Sequence, residues 1–353
     1  MRALVTGAGG FLGGAIVRRL VAGGHRVRAI QRGIYPELDQ LGVETIRGDI
    51  GDFQAVERAV RGCDTVFHVA AKVQMWGPYA DFHAVNVVGT ENVLAAMARH
   101  GASRLIYTST PSVVHGGESI EGADESLDYP DDFESPYPKS KAQAEAAVLA
   151  ANTPALATVA IRPHLIWGPG DTNLVPQIIA RARQGRLRFV GDGHNLVDTV
   201  FVDNAVDAHL LAADALAPGA ACAGRPYFVS NGDPRPIREI VNGILGAAGL
   251  PAEHRSVPLP VAIAGGRAME IAHRLLRRQG EPAMTRFIAR NLATAHWYDI
   301  SAARRDLGYE PRVSIDEGFT RLAEWFRDVE GRETIGDSRS RGRSSKNPHH
   351  RTT

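Results

Sequence analysis

From the N-terminus to about residue 170, short apolar runs alternate with longer segments in which apolar residues recur every three or four positions. "ALVTG" (3–7), "HRVRAIQR" (25–32), "VETIRGD" (43–49), "DTVFHVAA" (64–71), "SRLIYTST" (103–110) and "LATVAIRP" (156–163) have the length of strands. Between them, "FLGGAIVRRLVAGG" (11–24), residues 53–61, residues 81–100 and an alanine-rich stretch after 135 carry the helical period. Strands alternating with helices of about ten or more residues predict βαβ units and a parallel sheet covered on both faces. The last of these helices opens with "SPYPKSK" (135–141). Ser135 suits an N-cap, and Pro136 and Pro138 then fall in the first turn, where backbone N–H groups have no intrahelical partner. Tyr137 and Lys141, four apart, share one helix face, whereas Lys139 points elsewhere.

Beyond Pro163 the alternation loosens, and Gly and Pro cluster at 168–170, 191–193 and 232–236. That change predicts a first domain over 1–170, with 201–217 packing back on it, and a smaller substrate lobe over 171–330 built from longer connections. Residues 258–295 mix apolar helix formers with arginines and read as a helical cap. The alternative is a cap that receives an apolar substrate or makes peripheral contact with a membrane surface. Residues 331–353 lack apolar periodicity and read as a disordered tail.

Composition narrows the partners. At 353 residues with a formal net charge of +1, the chain allows one or two domains and offers no footprint for nucleic acid. Cys63 and Cys222 lack metal-ligand spacing and suggest no disulfide framework, so no metal is expected and a reduced cytoplasm is the expected compartment. The early first strand leads us to expect no leader, and no apolar run of the sequence is long enough to span a bilayer.

"TGAGGFLG" places Gly7, Gly10 and Gly13 at three-residue intervals between the first strand and the first helix. Glycines there let the turn be tight and the backbone approach a pyrophosphate, which the helix N-terminus also attracts. The expected fold is therefore α/β, a Rossmann-type doubly wound parallel sheet with a smaller, mainly helical C-terminal substrate lobe. A carboxylate at the end of the second strand would hydrogen-bond the adenosine ribose and reject a 2′-phosphate. This chain has Gln31 and Arg32 there, which favours a guanidinium grip on NADP(H), with NAD the alternative. Asp49, after the third strand, is placed to accept from the adenine amino group.

A phenol titrates near pH 10, and a neighbouring ammonium or an oxidised nicotinamide ring brings that value down. Tyr137 and Lys141 thus form an acid/base pair if nicotinamide lies against their face. A further hydroxyl is expected at the end of the preceding strand, where Thr108, Ser109, Thr110 and Ser112 are candidates that spacing does not separate. Asp203 in "FVDNA" reads as a helix N-cap. Trp76, Tyr79 and Trp167 read equally as pocket or core aromatics.

"TGAGGFLG", "HVAA", "NVVGT", "YTST", "YPKSK", "RPHLIWGPG" and "FVDNAVDAH" occur in order across roughly residues 1–330. With them the chain resembles the extended short-chain dehydrogenase/reductase family, nearest its 3β-hydroxysteroid dehydrogenase branch. The resemblance implies that Thr110 polarises the substrate oxygen, that Tyr137 donates the proton, and that Lys141 holds the nicotinamide ribose and lowers the phenol. It implies Ala70 and Ala71 near the ribose, Pro163 and His164 near the nicotinamide, and Asn86 near the cofactor. Phe11, Leu12, Ile50, Lys72, Thr108 and Ile166 complete the expected cofactor set.

More narrowly, "AAKVQMWGPY", "YTSTPSVVHG" and "VGDGHNLVDTVFVDNA" are similar to bacterial reductases of long-chain olefin biosynthesis. That likeness implies NADPH-dependent reduction of the ketone of a 2-alkyl-3-oxoalkanoate to a 2-alkyl-3-hydroxyalkanoate, a lipid-like substrate, and a homodimer paired through long helices. Dehydratases of the family usually place an acidic pair where this chain has Pro111 and Ser112. A 3β-hydroxysteroid or sterol dehydrogenase, a sugar-nucleotide epimerase and a non-catalytic NADP-binding regulator are the alternatives.

Overall fold

Every side chain of Thr65–His68 and of Ala157–Pro163 is buried, which only a strand covered on both faces allows. They belong to a sheet of seven parallel strands in a computed structural model that describes residues 1–343 except 277 and 279, with side chains described to residue 329. The strands are β1 (Arg2–Thr6), β2 (Arg26–Gln31), β3 (Glu44–Arg47), β4 (Thr65–His68), β5 (Arg104–Thr108), β6 (Ala157–Pro163) and β7 (Arg225–Val229). Their order is β7-β6-β5-β4-β1-β2-β3, all pairs parallel. Between β1 and β4 the winding reverses, and an open crevice forms at the carboxyl ends of the strands on either side of such a switch point. The Rossmann-type architecture expected from the alternation is the one observed.

Two apolar layers hold the sheet. On one face, helix α1 (Phe11–Ala22) sends Leu12, Ile16, Val17 and Leu20 inward to meet Val5, Phe67 and Ile106. On the other, α2 (Phe53–Val60) and α3 (Gly89–His100) bury Val56, Val60, Val93 and Met97 against Leu4, Val66 and Tyr107. The helix expected over 81–100 comes in three pieces: Tyr79–Phe82, a π-helical turn His83–Val88, and α3. Helix α4 (Pro136–Ala150) carries both prolines in its first turn. Ser135 stands at its N-cap position without capping, because its hydroxyl donates to the Met75 carbonyl at 2.8 Å.

The chain leaves the sheet after β6 and returns. Helix Val202–Ala215 packs on α1 and β6, and β7 adds a strand from the segment that the sequence places in the second lobe. Asp203 does not cap that helix, since Phe201 holds the position. Its carboxylate instead accepts from Arg321 Nη1 at 2.8 Å.

The remaining lobe holds the helices Leu174–Arg183, Ile237–Ala247, Leu259–Leu275 and Arg286–Ala293. It also carries a four-stranded sheet of Arg235–Pro236, Leu196–Val197, His296–Tyr298 and Ile120–Ala123. Ile120 pairs with His296, a partnership that no local pattern announces. The final helix, Ile315–Arg343, continues into the stretch expected to be a tail, and residues 344–353 lie outside the described residues. No helix among the described residues is long and apolar enough to cross a membrane.

Candidate active site

A cleft of about 620 Å³ opens at the carboxyl edge of the sheet, with one wall supplied by the second lobe. That volume suits a small-molecule site. Its floor is backbone. Gly7 has φ +69°, and a Cβ there would stand 2.8 Å from Ala70 Cα; at Gly13 it would stand 2.3 Å from the Gly7 carbonyl oxygen. Gly10 opens α1 with no side-chain cap, which leaves the first N–H groups of the helix free for an anion.

At the far end, Gln31 is buried with Oε1 unpartnered. The Arg32 side chain is 79% exposed, with Nη1 4.0 Å from Asp49 Oδ2, and Asp49 Oδ1 accepts from Gly51 N–H at 2.9 Å. A side-chain-free cradle beside a helix N-terminus, with an unpaired amide and a loose cation beyond it, fits an extended dinucleotide. Phe11, Leu12, Ile50, Ala70, Ala71, Pro163, His164 and Ile166 line the same cleft.

Tyr137, Lys141 and Thr110 meet on its wall. Tyr137 is 8% exposed; burial pushes its phenol up to about 12, and the Thr110 hydroxyl offsets part of that rise. Lys141 is 2% exposed, and burial draws its ammonium down to about 7, against a smaller opposing pull from Glu145. Nζ donates to the Thr108 carbonyl at 2.6 Å and lies 4.1 Å from the centre of the Tyr107 ring. In the free chain, burial outweighs any help the ammonium gives the phenol, and Tyr137 is protonated at neutral pH.

The hydroxyl candidates separate on their partners. The Thr108 hydroxyl and His209 Nε2 are 2.9 Å apart. Since His209 Nδ1–H donates to the Ala205 carbonyl at 2.7 Å, Nε2 is the acceptor and Thr108 the donor. The Thr110 hydroxyl lies 3.0 Å from that of Ser112, across the short 3₁₀ turn Pro111–Val114, and also faces the Tyr137 phenol.

Several positioning groups are absent from the sequence reading. Thr6 Oγ1 accepts from Val69 N–H at 3.1 Å and Ala70 N–H at 3.0 Å, so its own proton goes to His68 Nδ1 at 2.8 Å. His68 Nε2 then donates to Thr90 at 2.9 Å, and Thr90 donates to the Asn86 carbonyl at 2.7 Å. Burial, then the charge of Lys141, hold His68 down to about 3, which keeps this tautomer in place. Glu145, one turn past Lys141, is clasped by Arg162 of β6, with Nε at 3.1 Å from Oε2, and also accepts from the Tyr129 hydroxyl at 2.8 Å. Only the HVAA motif hinted at the first network; the second joins residues 17 apart in sequence and carries no local signal.

Lys72 and Asn86 stand behind the cleft and do not line it. Asn86 sits in the π turn, where Oδ1 accepts from Lys72 N–H at 2.7 Å and Nδ2 donates to Lys72 O at 3.1 Å and Ser140 Oγ at 2.9 Å. Both ends of its amide are committed to fastening the 72–78 loop to α4. The Lys72 ammonium lies 5.1 Å from the centre of the Phe82 ring. Trp76, Tyr79 and Trp167 also stay off the cleft wall; Trp167 is fully buried, 5.4 Å from the Phe201 ring and 4.9 Å from that of Phe319. The aromatic residues that do line the substrate side include Phe287 and Tyr298.

Two relatives share most of this chain. It is 56% identical over 325 residues to the 2-alkyl-3-oxoalkanoate reductase of Stenotrophomonas maltophilia, a match covering 91% of this chain and 98% of the relative. The identity to the 2-alkyl-3-oxoalkanoate reductase of Shewanella oneidensis is 47%, over 91% of this chain and 85% of that one. Among solved structures, a variant of DesIV, a dTDP-glucose 4,6-dehydratase from Streptomyces venezuelae with NAD bound, superimposes with a TM-score of 0.72. Its identity is 26%, with 94% of this chain and 98% of that chain covered. Residues 4–261 match the 3-beta hydroxysteroid dehydrogenase/isomerase family across the cradle, the Tyr137–Lys141 face and the first part of the second lobe, and the chain belongs to that family.

Proposed function

We propose that this chain uses a nicotinamide dinucleotide, NADPH by preference, to reduce the ketone of a 2-alkyl-3-oxoalkanoate to a 2-alkyl-3-hydroxyalkanoate. The observation that carries the reading is the meeting of Tyr137, Lys141 and Thr110 on the wall of a cleft floored by the glycine cradle, in a chain 56% identical to a reductase of that name.

When bound, the reduced nicotinamide supplies the hydride. Tyr137 then gives its proton to the carbonyl oxygen, and a phenol raised to about 12 is in the protonated form that this direction requires. Thr110 donates a hydrogen bond to the same oxygen and steadies the developing alkoxide. Lys141, once its ammonium engages the cofactor ribose, brings positive charge toward the phenol and eases loss of its proton.

Val73, Met75, Phe287, Ile288 and Leu292 make the substrate side apolar, which suits alkyl branches. A sugar nucleotide would need cations there for its diphosphate, yet among the described lining residues the only Lys and Arg are Lys141 and Arg32, both in the cofactor half. Purified protein with NADPH and a synthetic 2-alkyl-3-oxoalkanoate should lose reduced-nicotinamide absorbance and form the hydroxy acid. Tyr137→Phe should lower turnover by roughly 10²-fold or more while keeping NADPH affinity. Activity confined to a 3β-hydroxysteroid with NAD would refute the substrate assignment.

A further inference from the structure

We propose that His115, His164 and His296 together form the seat for the carboxylate of the β-keto acid. The inference rests on the ketone-reductase reading and deepens it. The three rings arrive from separate elements. His115 ends the 3₁₀ turn that follows Thr110, His164 follows the last residue of β6, and His296 opens a strand of the second lobe. All three line the cleft that holds Tyr137. The His164 and His296 centroids are 4.9 Å apart, those of His115 and His296 6.0 Å, in edge-on contact.

Each ring keeps one buried nitrogen without a partner: Nε2 of His115, Nδ1 of His164 and Nδ1 of His296. His115 and His296 are only 6% and 3% exposed. A buried polar atom left unpaired costs roughly 1–3 kcal/mol, so three together on a cavity wall point to a polar ligand.

The proton positions say which kind. Gly117 N–H donates to His115 Nδ1 at 3.1 Å, so the neutral ring presents Nε2–H as an unused donor. His296 Nε2–H donates to the Asn291 carbonyl at 2.9 Å, leaving Nδ1 bare until the ring is protonated. Burial above all holds the three below the ordinary imidazole range; the His296 and His115 rings add to it at His164, and at His296 the His115 ring adds to it while the Asn291 carbonyl opposes it. An anion counters these shifts and converts a bare nitrogen into a second donor.

The surroundings offer no competitor. Among the described residues no carboxylate hydrogen-bonds these rings. Tyr298 lies 5.5 Å from His164, and Asp198 behind it accepts from Tyr298 N–H at 2.9 Å. Asp171, on the same cleft wall, spends its oxygens on Asn173 and Val175 N–H. Lys141 and Tyr137 are the other ionisable groups on the nicotinamide side. No group of His, Cys, Asp and Glu among the described residues is arranged to hold a metal. In a β-keto acid a single carbon separates carboxylate from ketone, so its seat must adjoin the groups that hold the carbonyl. His115 closes the short turn that begins after Thr110, and His164 lines the same cleft as Thr110 and Tyr137, which places the rings on the side of the cleft where that demand arises.

The test compares a 2-alkyl-3-oxoalkanoate with its neutral methyl ester, using the full chain saturated with cofactor. Calorimetry of the hydroxy acid product in two buffers of different ionisation enthalpy, around pH 7, should show net proton uptake on binding, with none for the product ester. His115→Gln and His296→Gln should each lower the acid-over-ester ratio of kcat/KM by about 10-fold or more, the loss of one charge-assisted hydrogen bond. Turnover of both substrates by the wild type without proton uptake, or an unchanged ratio in folded variants, overturns the carboxylate seat alone. A wild type inert toward acid and ester alike overturns the ketone-reductase reading and this inference with it.

Discussion

Lys141 should cost this protein stability in the absence of cofactor. Its ammonium is almost wholly buried, and its pKa falls from an ordinary 10.5 to about 7. Between those values the unfolded chain holds a proton that the folded chain has released. Burying this lysine therefore costs the folded chain ~4 kcal/mol at pH 7 and ~2 kcal/mol at pH 9, and nothing once the pH passes the unfolded value. Lys141→Met removes that cost but strands the Thr108 carbonyl, which now accepts from Nζ at 2.6 Å, giving back ~1–2 kcal/mol. The cofactor-free variant should thus be ~2–3 kcal/mol more stable than its parent at pH 7, an advantage that shrinks by ~2 kcal/mol at pH 9. Urea unfolding of both proteins at the two pH values reads this directly. His68, which the Lys141 charge helps hold down, is kept neutral by burial first of all, and the remaining titrating groups are common to the pair. A variant less stable at pH 7, or a difference that ignores pH, refutes the argument that burial governs this lysine.

Glu145→Gln should destabilise the fold by ~3–5 kcal/mol, because it leaves Arg162, 3% exposed at its side chain, charged and unpaired in the interior; thermal melting measures it. Arg32→Ala should weaken NADPH binding about 10-fold or more while changing NADH binding little, since an exposed guanidinium 4.0 Å from its nearest carboxylate is free to pair with a 2′-phosphate. Titration of protein fluorescence with each cofactor checks it, and equal losses would remove Arg32 from the phosphate site.

Six of the seven sheet strands were legible, because each is a short run of strand-forming residues bounded by turn residues; five of them are mostly buried, while Glu44–Arg47 is largely exposed at the sheet edge. Arg225–Val229 was not, since Pro226 and the polar residues around it blur the pattern and only its pairing with β6 makes it a strand. Tyr137, Lys141 and the glycines were readable from local spacing, four apart on a helix and three apart in a turn. Asn86 came only through the family resemblance of its NVVGT motif, and its hydrogen bonds to Lys72 and Ser140 depend on a π turn that no period reveals. His115 and His296 escaped notice for a plainer reason. They lie 181 positions apart (296 − 115), and what unites them is the four-stranded sheet of the second lobe, whose strands are two to four residues long. Pairings that short are decided by tertiary contact and not by propensity.

Tyr137, Lys141 and Glu145 follow one another at four-residue steps, a single stripe about 12 Å long. The same stripe that presents the phenol and the ammonium to the cleft thus ends in a carboxylate bolted to the central sheet through Arg162. Rolling this helix about its axis would drag that carboxylate away from its guanidinium, so reactive alignment and mechanical anchorage share one degree of freedom. Substitutions that loosen the anchor should blunt the chemistry before they unfold anything.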